Sequence, residues 1–327
     1  MLVDNFGRLH NYLRLSITDS CNFRCLYCMP DEPFSSMPSV ELMSSKEVFE
    51  IARIFVQNLG INKIRLTGGE PLVRSDFGEI IQQLATLNVN LGVTTNGVLL
   101  NKYFDLLEEC GVQNLNISID SLDREKFKYI TKRDLFETVW KNIQEAIKRN
   151  FHIKLNVVVM RGFNEDEIPD FIELSRQYSI EVRFIEFMPF AGNAWEKKKV
   201  VPIAEMLYLV SENFSYSKVE DDKNDTSRKY KVDGESKGVF AFISTMSNAF
   251  CGGCNRIRIT ADGKMKNCLF GADEFDILSA HRKQESITEL IKYGISKKHK
   301  EKGGQFDELE KVNNDKIENR SMIKIGG

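Results

Sequence analysis

Between about residues 11 and 186, short apolar runs alternate with longer stretches of helical periodicity. The runs fall at 11–17, 62–66, 90–94, 113–119, 152–159 and 180–186 and are rich in Val, Ile and Leu, as strands buried in a parallel sheet are. Helical patterns lie between them near 46–58, 76–87, 101–109, 134–149 and 166–176. In the fourth, Leu135, Val139, Ile143 and Ile147 recur every four residues and mark one buried stripe. Six strand–helix units in a row restrict this α/β chain to a parallel sheet, either doubly wound or curled into a partial barrel.

The rhythm breaks after Pro189. Residues 190–199 hold Gly192, Asn193, Trp195 and four charged residues, and read as a loop. Residues 216–236 are polar, with a charged run from Glu220 to Lys223, and short strands follow near 238–244 and 256–261. Two regions result, 1–189 and 190–327, the second a smaller α+β region. Residues 296–320 are rich in Lys, Glu, Asn and Gly, a composition that favours mobility.

A chain of 327 residues can bury one large core or form two domains. Its 45 basic and 47 acidic side chains leave a net charge of −2, so nothing global draws it to nucleic acid or anionic lipid. Any anion site must be local. The start, Met1-Leu2-Val3-Asp4-Asn5, lacks a signal-peptide pattern, and no apolar run approaches the ~18–20 residues that cross a bilayer. A cytoplasmic protein is expected, monomer or homodimer, with no nucleic-acid or membrane partner.

In that compartment cysteines point to metal or catalysis rather than disulfides. The seven fall as three, one and three: Cys21, Cys25 and Cys28 in C-x3-C-x2-C, Cys110 alone, and Cys251, Cys254 and Cys268 in C-x2-C-x13-C. Thiolates are the usual ligands of iron–sulfur clusters, and a [4Fe–4S] cube takes four. Three per group leaves each cube one iron with no protein ligand, an open position for binding a small molecule. The first loop leaves the end of a strand, where active sites of parallel barrels lie. Structural zinc is the alternative for either group. It is the more credible for Cys251-Gly252-Gly253-Cys254, which is like a zinc knuckle, while the four histidines stand at no finger spacing. Cys110 reads as a small packed residue at the end of a helix.

The run Cys21-Asn22-Phe23-Arg24-Cys25-Leu26-Tyr27-Cys28 resembles the signature of the radical S-adenosylmethionine (SAM) superfamily, and Thr67-Gly68-Gly69-Glu70-Pro71 resembles its GGEP motif. Three further features are similar to the GTP 3′,8-cyclase family of molybdenum-cofactor biosynthesis: Phe6-Gly7-Arg8 with Tyr12-Leu13-Arg14-Leu15-Ser16, the second triplet followed by Asn255-Arg256-Ile257-Arg258, and a Gly326-Gly327 end. Ser20 departs from the basic residue expected before the first cysteine.

The resemblance implies a partial (β/α)6 TIM-like barrel with a smaller C-terminal α+β region, two [4Fe–4S] clusters held by the two triplets, and SAM. It places Tyr27, Gly69, Ser118 and Met188 at SAM. It places Arg14, Arg65, Thr94, Lys154, Arg256, Ile257 (through its backbone) and Arg258 at GTP. Residue types agree in part. Arg256 and Arg258 are two apart in a strand-like run, so both point to one face, and Arg14, Arg65 and Lys154 alternate with apolar residues in the same way. For each, a solvated or salt-bridged charge is the alternative.

The implied reaction cleaves SAM with an electron from the first cluster, removes hydrogen from C3′ of the ribose and closes the ring onto C8 of guanine. The second cluster's open iron would hold the guanine edge. Arg256, Arg258, Gly326 and Gly327 are the implied catalytic residues, although by physics alone a terminal Gly-Gly reads as a frayed end. A low-potential electron donor is an expected partner, with a downstream cyclic pyranopterin monophosphate synthase. Rival readings are a twin-cluster radical SAM enzyme that modifies a peptide or protein, a ferredoxin-like carrier and a zinc-ribbon module. Carriers usually close each cluster with four cysteines, and this chain offers three and three.

Overall fold

The six expected strands and their helices form in order: β1 (Tyr12–Ser16), α1 (Ser45–Leu59), β2 (Lys63–Thr67), α2 (Phe77–Ala85), β3 (Asn90–Thr95), α3 (Phe104–Glu109), β4 (Asn114–Ser118), α4 (Arg124–Thr131), α5 (Phe136–Lys148), β5 (His152–Val159), α6 (Ile168–Gln177) and β6 (Glu181–Glu186). The structure, a computed structural model, describes residues 1–29, 35–193, 195–306, 312 and 317–326. Helix boundaries follow local chemistry. In α1, Ser44 and Glu47 form a reciprocal capping box, and Gly60 ends the helix at φ 79°. Helix α4 has no counterpart among the sequence-predicted helices, because its short, highly charged run buries only Phe127, Ile130 and Thr131.

Strands β1 to β6 pair in parallel and in chain order. The later strands join the same sheet: β7 (Tyr216–Lys218), β8 (Arg228–Val232), β9 (Val239–Ile243), β10 (Arg256–Ile259), β11 (Lys264–Lys266) and β12 (Phe275–Asp276). Strand β9 lies parallel to β6 and β10 parallel to β1, giving the order β12-β11-β10-β1-β2-β3-β4-β5-β6-β9-β8-β7. The edge strands β12 and β7 are not paired with each other, so the barrel is partial. Helices α7 (Ile203–Ser211), α8 (Ile277–Arg282), α9 (Ile287–Ser296) and α10 (Met322–Ile325) follow β6 in the C-terminal region. Among the described residues, no helix is long and apolar enough to cross a membrane.

The strands alternate; they are not the continuous apolar runs of a two-sided buried sheet. In β5, Ile153, Leu155, Val157 and Val159 are buried, while Lys154, Asn156 and Val158 line a central cavity. In β1, Leu13 and Leu15 are buried in the hydrophobic core while Tyr12 and Arg14 line the cavity. One face therefore builds the core and the other a polar chamber, where a packed TIM barrel would place layers of apolar side chains.

One reading of the C-terminal region gains structure and one needs correction. Residues 216–236, read only as polar, contain the antiparallel pair β7 and β8, whose Tyr216 and Tyr230 rings pack on Phe240. Residues 297–306, read as mobile, wrap the second cysteine triplet and bury Lys298 to 5% exposure. The rest of that segment, 307–311 and 313–316, lies outside the described residues.

The N-terminus is tied to this wrap. Arg8 donates Nε to Asp4 Oδ2 at 2.6 Å and its other nitrogens to the carbonyls of Cys251, His299 and Lys300 at 2.8–2.9 Å. His10 is fully buried, with Nε2 3.0 Å from Asp4 Oδ2. Burial, aided by the Lys298 charge, holds its pKa down to about 4 from 6.5. Burial pushes the Asp4 carboxyl up, but hydrogen bonds from Arg8 and His10 prevail and bring it down to about 2 from 3.8. Between pH 6.5 and 4 the unfolded chain takes up the His10 proton and the folded chain does not, so stability falls as pH falls through that window. The loss reaches about 3 kcal/mol, and the Asp4 contribution fades only below pH 3.8. Thermal melting of the wild type should decline across the His10 window, and His10→Asn should flatten the decline.

Candidate active site

The inner strand faces enclose a cavity of about 430 Å³. Register sets Arg258 beside Arg14 and Arg14 beside Arg65 across β10, β1 and β2. Two residues earlier in each strand it sets Arg256 beside Tyr12 and Tyr12 beside Lys63. On the far wall Lys154 Nζ and Arg183 Nε reach the same carboxylate, Glu181, at 2.8 and 2.5 Å. Seven basic side chains thus line the cavity, against Asp120, Asp222 and Asp225, of which the last two pair with Lys229.

The crowding leaves its mark on protonation. Burial, then the nearby Arg258, bring Arg14 down to about 9. Burial, then Arg256, bring Arg258 down to about 10. Burial pushes the Tyr12 hydroxyl up, but Arg65, Arg14 and Lys63 outweigh it and lower it to about 7. A cation cluster of this kind stores repulsion that a polyanion relieves. Thr94 Oγ1, Asn116 Oδ1, Asn156 Oδ1 and Arg258 Nε are buried without a hydrogen-bond partner among the described residues, and all four side chains line the cavity. Orphaned polar atoms in one chamber point to a polar ligand.

The sequence-predicted residues Arg14, Arg65, Thr94, Lys154, Arg256 and Arg258 meet in this chamber, with Tyr27, Ser118 and Met188. Ile257 is fully buried, its side chain in the hydrophobic core between the two arginines' inward positions. Tyr12, Lys63, Asn116, Asn156 and Arg183 line the same chamber and were missed. The signal was present: each occupies the alternate position of a strand whose other face is apolar.

The first triplet sits on the loop that leaves β1. Cys21, Cys25 and Cys28 line a second cavity of about 110 Å³ together with Gly69, Thr94, Ser118 and Asp120. Tyr27, Thr94, Ser118, Asp120 and Met322 border both cavities, so the two adjoin. A side chain at Gly69 would lie 2.5 Å from the Ser20 carbonyl and 2.6 Å from that of Asp19. That glycine seats the cysteine loop against the end of β2. Its neighbour Glu70 accepts from the backbone of Asn96 at 2.6 Å and from Thr95 Oγ1 at 2.8 Å. Asn96 in turn reaches Asn22 on the cysteine loop at 2.6 Å. Tyr27 donates its hydroxyl to Asp120 at 2.8 Å, and burial pushes the Asp120 carboxyl up to about 6.

The second triplet borders the larger cavity from the other side. Cys251 and Cys254 bracket a tight turn that leads into β10, and Cys268 follows β11. The wrap at 298–302 aims donors at sulfur: Lys298 Nζ lies 3.5 Å from Cys254 Sγ, and Lys302 N–H 3.5 Å from Cys251 Sγ. Burial raises the Cys254 thiol, but Lys298, Arg256 and Arg258 outweigh it and bring it down to about 7. In the first loop burial prevails: it pushes Cys21 up to about 11 despite the nearby Arg24 charge, and Cys28 up to about 12. Metal must displace those protons. Lys298→Met should weaken iron retention at the second triplet about tenfold or more, read by chelator challenge. Lys298→Arg should restore much of it.

The donor sets fit two iron–sulfur clusters. All seven cysteines are free of disulfides, and each triplet is all-sulfur with N–H groups directed at its thiols. Among the described residues no three His, Cys, Asp or Glu close on a point as a single-ion site requires, whereas a cube holds its thiolates at separate corners. Gly326 reaches Thr67, which lines the first triplet's cavity. A side chain there would lie 2.5 Å from Ser16 Cβ and 2.9 Å from Thr67 Oγ1, at the ends of β1 and β2. Helix α10 carries it, anchored by Ile325 in a cluster with Phe190, Met246 and Phe270. Gly327 lies outside the described residues.

A partial barrel whose first strand ends in a cysteine triplet, beside a Gly-Gly turn and a polar chamber, defines the class of radical SAM proteins. Residues 15–175 match the Radical SAM superfamily and residues 180–304 match Molybdenum Cofactor Synthesis C. The crystal structure of Streptococcus suis SuiB bound to S-adenosylmethionine shares this fold, with a TM-score of 0.59 at 15% identity over 80% of this chain and 60% of that one. A protein of Arabidopsis thaliana named GTP 3′,8-cyclase, mitochondrial, is 46% identical over 100% of this chain and 84% of its own length. The GTP 3′,8-cyclase of Listeria welshimeri is 37% identical over 100% of this chain and 99% of its own. Molybdenum cofactor biosynthesis protein 1 of Homo sapiens is 42% identical over 99% of this chain, which spans 51% of that longer protein. The chain belongs to the GTP 3′,8-cyclase family of the radical SAM superfamily.

Proposed function

We infer that the chain is a radical SAM lyase that converts GTP to (8S)-3′,8-cyclo-7,8-dihydroguanosine 5′-triphosphate in molybdenum-cofactor biosynthesis. One observation carries this reading: a chamber lined by seven cations lies between two cysteine triplets. Bound [4Fe–4S] clusters supply the electron that cleaves SAM at one end and an open iron for the guanine edge at the other.

The chain's own residues do the placing. Lys63, Arg65, Lys154 and Arg183 meet the triphosphate, which brings about four negative charges. Arg14, Arg256 and Arg258 hold the nucleoside end nearer the second triplet, with the Ile257 backbone, and Thr94 meets the nucleotide where the two cavities adjoin. Tyr27, Gly69, Ser118 and Met188 frame SAM beside Cys21, Cys25 and Cys28. Arg256 and Arg258 steady charge after ring closure, and Gly326, set against the ends of β1 and β2, serves the reaction together with Gly327. Placement is the main task, because a primary carbon radical abstracts hydrogen from whatever C–H it meets. In this division of labour residues 1–189 generate the radical and 190–327 present the purine.

A low-potential electron donor is required, and a cyclic pyranopterin monophosphate synthase would take the product onward. The cation set suits a nucleoside triphosphate; a peptide has no comparable charge to match it. Anaerobic reconstitution with iron and sulfide, followed by GTP, SAM and dithionite, tests the reading. Cyclised nucleotide and 5′-deoxyadenosine in equal amounts are expected. Deoxyadenosine without any change in GTP would overturn the substrate assignment.

A further inference from the structure

The electron that starts this chemistry enters from outside the chain, and one surface is built over the place it must reach. The loop bearing Cys21, Cys25 and Cys28 lies against the C-terminal end of α4. Arg24 N–H donates to Thr131 O at 2.9 Å and Leu26 N–H to Ile130 O at 3.1 Å. The rings of Phe23 and Phe127 meet edge-on with centroids 5.7 Å apart. The outer side of this helix end is therefore exterior surface packed directly on the cysteine loop.

That surface is basic. Lys128, Lys132 and Arg133 are exposed, with Arg24 half-buried beside them. Both arginines touch the loop backbone: Arg133 Nε donates to Asn22 O at 3.2 Å and Arg24 Nη1 to Cys21 O at 2.5 Å. Among the described residues none of the four forms an ion pair. Arg124 and Lys126 on the same helix do, with Asp134 and with Asp166 and Glu167. Tyr129 stands in the patch at 59% exposure, with Lys132 Nζ 4.5 Å over its ring. An exposed aromatic beside cations that form no ion pair among the described residues has the composition of a docking site for an acidic partner. The chain as a whole carries a net charge of −2, so this concentration of positive charge is local.

We propose that Arg24, Lys128, Tyr129, Lys132 and Arg133 form the docking surface for an acidic one-electron carrier protein of the flavodoxin class. The carrier loses one electron and the cluster on Cys21, Cys25 and Cys28 gains it. The inference rests on the radical SAM reading of that triplet. Opposite charge steers the encounter, and the patch sets the carrier's redox centre over the loop that holds the thiolates.

The test uses the reconstituted full chain, reduced flavodoxin as probe, and the double substitution Lys128→Glu/Lys132→Glu. Neither lysine belongs to the chamber. Calorimetric affinity for oxidised flavodoxin and the stopped-flow rate of cluster reduction should each fall about tenfold or more in the variant. In the wild type, both should weaken as salt rises. A charge-matched control, Lys102→Glu/Lys141→Glu, should behave as wild type. Dithionite-driven SAM cleavage should be the same in all three proteins; its loss from the wild type would strike the radical SAM reading instead. Equal flavodoxin kinetics in the double variant, an equal loss in the control, or no reduction of the wild type by flavodoxin would each overturn the docking assignment.

Discussion

Removal of Gly326 and Gly327 is expected to lower formation of cyclised nucleotide by at least about a hundredfold, with both clusters still assembled. The last helix, Met322–Ile325, is held by Ile323 and Ile325, at 2% and 1% exposure. It therefore remains docked when the residues beyond it are lost. What disappears is the segment that meets Ser16 and Thr67, where β1 and β2 open toward the first cysteine loop. Gly326 stands at φ 86° with no room for a Cβ, so Gly326→Val combines backbone strain with overpacking and should displace the tail without shortening it. Both variants should keep wild-type iron content and bind GTP. Normal turnover in the truncated protein would remove the tail from the active site.

Arg258→Ala should weaken GTP binding about thirtyfold to a hundredfold, near 2–3 kcal/mol, as loss of charge-assisted hydrogen bonds does. Arg258 is 8% exposed, with Arg14 beside it in register and Cys254 four residues before it. Its guanidinium Nε has no hydrogen-bond partner among the described residues. Its removal also relieves repulsion on Arg14 and Arg256, which places the expected loss below that for an isolated buried cation. Arg258→Lys retains the charge but not the planar fork and should recover only part of the affinity. Anaerobic calorimetry with GTP measures all three proteins. Unchanged affinity in Arg258→Ala would place the nucleotide elsewhere.

Much of this site was legible in the chain because a strand's side-chain period is two. Arg14, Arg65 and Lys154 each interrupt an apolar run, and all three face the chamber. Tyr12 and Lys63 obey the same rule but open their strands beside Asn11 and Asn62, where alternation is hard to tell from a turn, whereas Arg183 stands between Val182 and Phe184 just as Lys154 stands between Ile153 and Leu155. Lys298 gave no local signal. It lies in a polar stretch and acquires meaning only because α9 carries it to Cys254, 44 residues earlier. Gly326 was likewise ambiguous, since a glycine end looks the same frayed or inserted.

What the amino-acid order determined by itself was local: six strands alternating with helices, and two sets of three thiols with one ligand lacking in each. What only the folded chain decided was convergence. Strand β10 pairs with β1, although Ile257 lies 244 residues after Leu13, its partner in register, and that pairing brings the second triplet to the chamber. Long-range pairing depends on which apolar faces find a common core, a property of the whole chain that no short window contains.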